Sequence, residues 1–247
     1  MKTQHLLFDI EGTTCPVSFV SEILFPYARE SLGAFISKHQ GDQDIRTIIR
    51  AAADEWVQDN NKTSRELLKS HHSTGLVTPE AITQYLLHLI SIDRKSTALK
   101  DLQGKIWNNG YRNGDLNATL FPEVSACFQQ WSEAKILISS YSSGSIQAQK
   151  LIYQFSNQGN LSHYIHQWFD THTGAKKSSD SYTTISALLG STATAILFVS
   201  DNSDECDAAH QAGMKTLFSR RNGNPDQDSK GHTTITNLLE ISRFLNS

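Results

Sequence analysis

Asp9 and Glu11 stand two residues apart at the end of a short apolar run, residues 6–8, and Gly12, Thr13 and Thr14 follow at once. A carboxylate in such a place can attack phosphorus and carry it as an aspartyl-phosphate. A second carboxyl group two residues on can handle the proton. Gly12 allows the backbone of the turn to come close to phosphate oxygens, so that its N–H groups can bind them. The plainer reading of the same residues is a strand that ends in a capping Asp before a turn, so three later stretches have to weigh in.

The first is Tyr141-Ser142-Ser143-Gly144-Ser145, after the apolar run 135–139. Hydroxyls between a strand and a helix hold phosphate oxygens, and the helix N-terminus adds donors and a favourable dipole; an ordinary Ser cap with a Gly turn looks the same. The second is Phe169-Asp170-Thr171-His172-Thr173-Gly174-Ala175-Lys176-Lys177. Most loop lysines are solvated surface charges, but an ammonium beside an aspartate and a phosphate neutralises charge and orients the nucleophile. Physics alone does not separate Lys176 from Lys177. The third is Phe198-Val199-Ser200-Asp201-Asn202-Ser203-Asp204-Glu205, a strand that again ends at a carboxylate. A magnesium ion held with a phosphate takes one or two protein carboxylates and keeps several waters. Asp9 and Asp201 would supply them, and Glu205, one helical turn on, would orient Asp201 or a water. Ser203 or Asp204 would cap the helix that follows.

Positioning these groups requires a parallel sheet, because ligands bind beyond the carboxyl ends of its strands. Apolar runs at 6–8, 135–139, 195–200 and 216–218 read as strands, and helical patterns at 124–133, 145–155, 181–189 and 205–211 lie between them. Alternation of this kind gives a doubly wound α/β sheet with right-handed crossovers. Residues 17–113 read instead as nearly all helix. Pro26 is expected to kink or end the first helix, the face Ile45, Ile48, Ile49, Ala52, Trp56 marks a second, and Thr78-Pro79-Glu80 starts a later one. The polar stretch 60–63 is read as exposed, and the loop 223–230 as polar and mobile. The simplest account is a helical domain inserted after the first strand: a core of residues 1–15 and 115–247, and a cap of residues 16–114.

Composition narrows the function classes. With 38% hydrophobic and 19% charged residues, the 247-residue chain can build a large core. A formal net charge of −3 without a Lys/Arg block argues against nucleic acid or a membrane surface as partner. No apolar run approaches a membrane span, and Asp9 comes too early for a signal peptide to precede it. Cys15, Cys127 and Cys206 are odd in number and far apart, which suits free thiols in a reducing cytosol. We expect a cytoplasmic monomer.

On these residues the chain resembles the haloacid dehalogenase-like phosphatases, and within them the enolase-phosphatase branch. The resemblance is carried by Asp9-Ile10-Glu11-Gly12-Thr13-Thr14 with Pro16-Val17-Ser18-Phe19-Val20 and Leu24-Phe25-Pro26-Tyr27-Ala28. It continues in Ile106-Trp107 with Gly110-Tyr111, Gly114-Asp115-Leu116, Phe121-Pro122-Glu123-Val124, Tyr141 to Ser145, Phe169-Asp170-Thr171 with Gly174 and Lys176, and Ile196-Leu197-Phe198 with Asp201. It is thinnest across 38–78. Glu11 is specific, because most of the wider superfamily has Asp there. Cys15 departs from the pattern, which has Thr.

The resemblance implies a Rossmann-like core with a helical cap, Mg²⁺ dependence, and a bifunctional reaction. The implied substrate is a small phosphorylated diketone, 2,3-diketo-5-methylthiopentyl-1-phosphate, which is enolised and then dephosphorylated to the acireductone of methionine salvage. It also implies roles: Asp9 as nucleophile and metal ligand, Glu11 as acid/base lying at the metal, Ser142 and Ser143 on the substrate phosphate, Lys176 as a catalytic residue that also binds substrate, and Asp201 on Mg²⁺. Its Gly-x-Lys spacing selects Lys176. The base for enolisation stays open between Glu11 and Glu22. The nearest rival is a capped phosphatase of the same superfamily acting on a small sugar phosphate without enolisation. A phospho-receiver module is a further rival, but the helical insert argues against it.

Overall fold

The computed structural model describes residues 2–71 and 78–245. The chain divides into two compact units, residues 1–22 with 114–247, and residues 23–113. Residues 16–22, expected with the cap, group with the sheet.

The first unit holds one sheet. Its strands are β1 (His5–Phe8), β2 (Leu137–Tyr141), β3 (Ile165–Phe169), β4 (Ile196–Ser200), β5 (Lys215–Ser219) and β6 (Thr234–Ile235). All neighbours pair parallel, in the order β3-β2-β1-β4-β5-β6. β1 and β4 are buried at every position, the burial expected of central strands covered on both faces. That is why His5-Leu6-Leu7-Phe8 and Ile196-Leu197-Phe198-Val199-Ser200 carry continuous rather than alternating apolar patterns. Phe8 lies opposite Ser140 on one side and Val199 on the other. Asp9, Ser142 and Asp201 therefore leave the sheet at the same edge.

Several local expectations are corrected. The second strand spans Leu137–Tyr141 and not 135–139, because Lys135 takes a positive φ of 59° at the turn that precedes it. β3 and β6 were not foreseen: Ile165-His166-Gln167-Trp168-Phe169 is a polar-rich edge strand, and β6 has two residues. Helices α6 (Val124–Glu133), α7 (Ile146–Gln154), α8 (Ser179–Leu188) and α9 (Ser203–Gln211) lie in the expected places. The cap of α9 is Asn202, whose side chain accepts from the N–H groups of Asp204 and Glu205, and not Ser203 or Asp204.

The second unit is helical: α1 (Phe25–His39), α2 (Gln43–Gln58), α3 (Lys62–His71), α4 (Pro79–Ser91) and α5 (Thr97–Asn113). Pro26 opens α1 and does not break it, since its missing N–H falls where the first turn has no partner anyway. A π-helical turn, Phe19–Leu24, precedes it. α3 begins inside the polar stretch 60–63, whose Asn60, Lys62 and Thr63 are exposed as expected. The unit has its own core: Trp56 stacks on Tyr85 at 4.8 Å and donates Nε1–H to the Ser64 carbonyl at 2.8 Å. Arg94 pairs with the buried Asp59 at 2.5 Å.

Candidate active site

The turn after β1 is built by its own backbone. The N–H groups of Thr13, Thr14 and Cys15 all donate to the Ile10 carbonyl, and Gly12 N–H donates to the Cys15 carbonyl at 2.7 Å. Asp9 N–H donates to the Val199 carbonyl at 2.9 Å, which keeps the Asp9 backbone in the sheet while its side chain stands at the edge. Gly12 has a φ of 68°, and a Cβ there would lie 2.0 Å from Asp201 Oδ2. Cys15 is fully buried, its thiol is held high by burial and then by Glu11, and it packs behind the turn as a small apolar side chain. Gly12→Ala is expected to lower stability by about 2 kcal/mol through backbone strain and the Asp201 contact. Thermal unfolding with and without Mg²⁺ checks it, and wild-type behaviour in both would mean the turn tolerates a Cβ.

Lys176 reaches this edge from the loop after β3. Its Nζ lies 2.7 Å from Asp9 Oδ1 and 2.7 Å from Glu205 Oε2, and its side chain is only 10% exposed. The loop is pinned from below. Tyr182 donates its hydroxyl to the Lys176 carbonyl at 2.7 Å, Ser181 to that of Ala175 at 2.8 Å, and Tyr141 to that of Gly174 at 2.9 Å. Lys177 points the other way and pairs with the exposed face of Asp204 at 2.6 Å. Geometry thus separates two lysines that loop chemistry alone had left equivalent.

Glu205 does not face Asp201 as its main partner. It is a buried member of α9 that accepts from Ser200 Oγ at 2.8 Å and pairs with Lys176. Ser142 is buried at the end of β2, with its Oγ accepting from Gly144 N–H at 3.2 Å, and Ser143 beside it is exposed. Asp170 is a structural acceptor, taking the N–H groups of Ile146 and His172. Glu22 is exposed at the π-helical turn.

Two features were not visible in the chain. Arg221 is 6% exposed, and donates from Nε and Nη2 to the Thr13 carbonyl at 3.2 and 2.9 Å. It also pairs with Glu123 at 2.6 Å and lies 4.4 Å above the Phe121 ring. Asn224 Nδ2 and Ser219 Oγ both donate to the Gly12 carbonyl, at 2.9 and 3.0 Å. The loop read as mobile is therefore tied to the turn after β1, and Gln227 ties it again to the start of α9 by accepting from Ser203 N–H at 3.1 Å. The sequence signal that pointed here was small: the dipeptides Asn222-Gly223 and Asn224-Pro225 mark a tight turn.

The electrostatics are those of surplus negative charge. Asp9, Glu11, Asp201 and Glu205 crowd around the ammonium of Lys176. Glu11 is pushed up to about 7, by burial first and then by Asp9. Asp201 is also pushed up to about 7, by burial and then by Asp9 and Glu205. Burial lifts Glu205 as well. Burial works to lower Lys176, but Asp9 and Glu205 outweigh it and hold the ammonium charged. No three His, Cys, Asp or Glu side chains among the described residues are arranged to hold an ion by themselves. An excess of hard oxygen donors without a closed cage fits a cation that takes one or two carboxylates, waters and a substrate phosphate.

The profile of the haloacid dehalogenase-like hydrolase family matches residues 3–213. Enolase-phosphatase E1 of Parasynechococcus marenigrum (strain WH8102) is 50% identical over 245 residues, covering 99% of this chain and 100% of that protein. Enolase-phosphatase E1 of Synechococcus sp. (strain CC9605) is 53% identical over 245 residues, covering 99% and 98%. Among solved structures, the UTR4 protein of Saccharomyces cerevisiae superposes with a TM-score of 0.75 at 30% identity, covering 95% of this chain and 98% of that one.

Proposed function

The chain belongs to the haloacid dehalogenase-like hydrolases and, within them, to the enolase-phosphatase E1 family, and from that premise we infer how its residues divide two reactions. It is an enolase-phosphatase of methionine salvage. We take the substrate to be 2,3-diketo-5-methylthiopentyl-1-phosphate, a small phosphorylated diketone, and the product to be the acireductone.

Asp9 is the nucleophile. One of its oxygens bonds to phosphorus as the bond from phosphorus to the C1 oxygen breaks, leaving an aspartyl-phosphate that water then cleaves. Lys176, 2.7 Å from Asp9 Oδ1, fixes that carboxylate and offsets the charge of the approaching phosphate. We assign to Glu11 the protonation of the leaving oxygen and the later removal of a proton from water, and a carboxyl group lifted toward neutrality suits both tasks. For enolisation the same group is our choice of base, since Glu11 interacts with Asp9 and Lys176 while Glu22 is exposed. Ser142 and Ser143, in the turn just before α7, are our choice for the groups that receive the phosphate oxygens. The observation that carries the reading is the buried Asp9–Lys176–Glu205 chain beside Glu11.

We propose Mg²⁺ as the cation, with Asp9 and Asp201 as its ligands and Glu11 beside it. When bound, it supplies positive charge for the phosphate and for the enolate oxygen. Because Glu11 and Asp201 are raised, they hold protons near neutrality that must leave when a cation arrives. Mg²⁺ binding at pH 7 is therefore expected to release protons, and the apparent affinity to rise from pH 5.5 to pH 8. Calorimetry in two buffers of different ionisation enthalpy reads this directly, and identical heats would remove the linkage. Folding of the metal-free protein has the opposite pH dependence: raised carboxyl groups favour the folded state at low pH, and that contribution is lost as pH climbs toward about 7.

We also propose that the unit of residues 1–22 with 114–247 acts as the catalytic core and the helical unit of residues 23–113 as the cap, and that the enzyme works as a cytoplasmic monomer without nucleic-acid or membrane partners. No helix among the described residues is long and apolar enough to cross a membrane. The test of the function is to give the purified protein Mg²⁺ and the diketo phosphate, and to follow enol absorbance and free phosphate separately. Phosphate release without any enol, or activity confined to sugar phosphates, would favour the capped sugar-phosphate phosphatase.

A further inference from the structure

Three consecutive carbonyls of the turn after β1 are held from outside it. The Gly12 carbonyl accepts from Ser219 Oγ and Asn224 Nδ2, that of Thr13 from Arg221 Nε and Nη2, and that of Thr14 from Phe121 N–H at 3.0 Å. The N–H groups at the other ends of these peptides, on Thr13, Thr14 and Cys15, all donate to the Ile10 carbonyl. Each peptide plane is therefore fixed at both ends. The three converge on the peptide that joins Ile10 to Glu11, so the outside donors also set where Glu11 leaves the backbone.

The middle plane is held by a charge. The Arg221 side chain is 3% exposed, and a buried guanidinium is tolerated only when its N–H groups find partners. Here Nε and Nη2 share the Thr13 carbonyl, and Nη1 reaches Glu123 at 2.6 Å and the Thr236 carbonyl at 2.9 Å. The Phe121 ring covers the guanidinium face at 4.4 Å, and Glu123 also accepts from Leu238 N–H at 3.1 Å. Phe121 and Glu123 come from the Phe121-Pro122-Glu123-Val124 motif, to which no step of the reaction has given a role. A buried ion pair adds little net stability, whereas a rigid fork fixes the orientation of the peptide it holds. We propose that Arg221, braced by Phe121 and Glu123, is a positioning residue for Glu11. It locks the Thr13–Thr14 peptide, and through the Ile10 carbonyl it keeps the Glu11 carboxyl group aimed at the substrate. This rests on the acid/base role assigned to Glu11 above.

The experiment measures kcat and KM of the full chain with Mg²⁺ and the diketo phosphate, per folded molecule, with the folded fraction taken from thermal unfolding. Arg221→Lys keeps the charge but cannot hold both Thr13 and Glu123. It is expected to lower kcat for phosphate release about 10–100-fold, the scale of a small misplacement of a reacting group, with KM within about 2-fold. Glu123→Gln loosens the brace and is expected to show the same split at about 3-fold, so it carries the test if the lysine variant does not fold. The decisive comparison is a double-mutant cycle with Glu11→Gln. If Arg221 acts through Glu11, either change costs less than about 2-fold more in that background. Wild-type kcat per folded molecule in both variants would reduce the clamp to a stabilising contact and overturn the inference. Losses that multiply fully in the Glu11→Gln background would overturn it too. A wild type inactive on the diketo phosphate would overturn the functional reading and the inference with it.

Discussion

Asp9→Asn is expected to lower phosphate release by about four orders of magnitude or more, the scale seen when a covalent nucleophile is removed, while enol still forms. The amide keeps the shape of the side chain but has no anionic oxygen to bond to phosphorus. Enolisation makes no bond to Asp9. It needs a base, assigned here to Glu11, and positive charge at the forming enolate. Lys176 keeps Glu205 as a partner at 2.7 Å in this variant, so the ammonium stays in place. Asp201 remains as a carboxylate for Mg²⁺, so the measurement is made at high metal. Ultraviolet enol absorbance and released phosphate are read on one sample, and the phosphorylated enol should accumulate. If no enol forms although substrate and Mg²⁺ still bind, Asp9 takes part in the proton transfer and the division of roles is wrong.

Lys176→Ala is expected to damage both steps, each by about 10²–10³-fold, the cost of losing one preorganised donor to developing negative charge. Phosphoryl transfer and enolisation both build negative charge beside Nζ. The variant also strips two buried carboxylates, Asp9 and Glu205, of their shared ammonium. Removing one partner from a buried pair destabilises by about 3–5 kcal/mol, and the loss is expected to be smaller at pH 5.5, where the carboxylates take up protons. The sign follows from linkage: burial already raises Glu205, loss of the ammonium raises it further, and the stability it contributes when protonated disappears as pH increases. Thermal unfolding at pH 5.5 and 8 separates this from the catalytic loss. A variant that releases phosphate slowly but enolises at full rate would confine Lys176 to the nucleophile.

The structure explains which of these residues could be read from the chain. Asp9 and Asp201 were legible because each closes an apolar strand run, and Glu11 and Gly12 because they stand in the turn that follows Asp9. A buried parallel strand is continuous in hydrophobicity, and its end is where ligands bind, so residue order alone places these groups. The resemblance, on the same motifs, added the choice of Lys176. β3 and α3 were not legible. A polar-rich edge strand and a polar surface helix bury too little apolar area to stamp a period on the sequence.

Tertiary structure decided everything that depends on two distant segments meeting. Lys176 and Lys177 have the same chemistry, and only the packing of Tyr182 and Ser181 under the loop turns one toward Asp9 and the other toward Asp204. Glu205 was expected to serve Asp201, but α9 presents it to Lys176. Arg221 and Asn224 lie more than two hundred residues from the turn they hold. Strand ends are local, and one sequence suffices to find them. Charge balance at a buried site is a sum over segments that the fold brings together, and no stretch of the chain contains it.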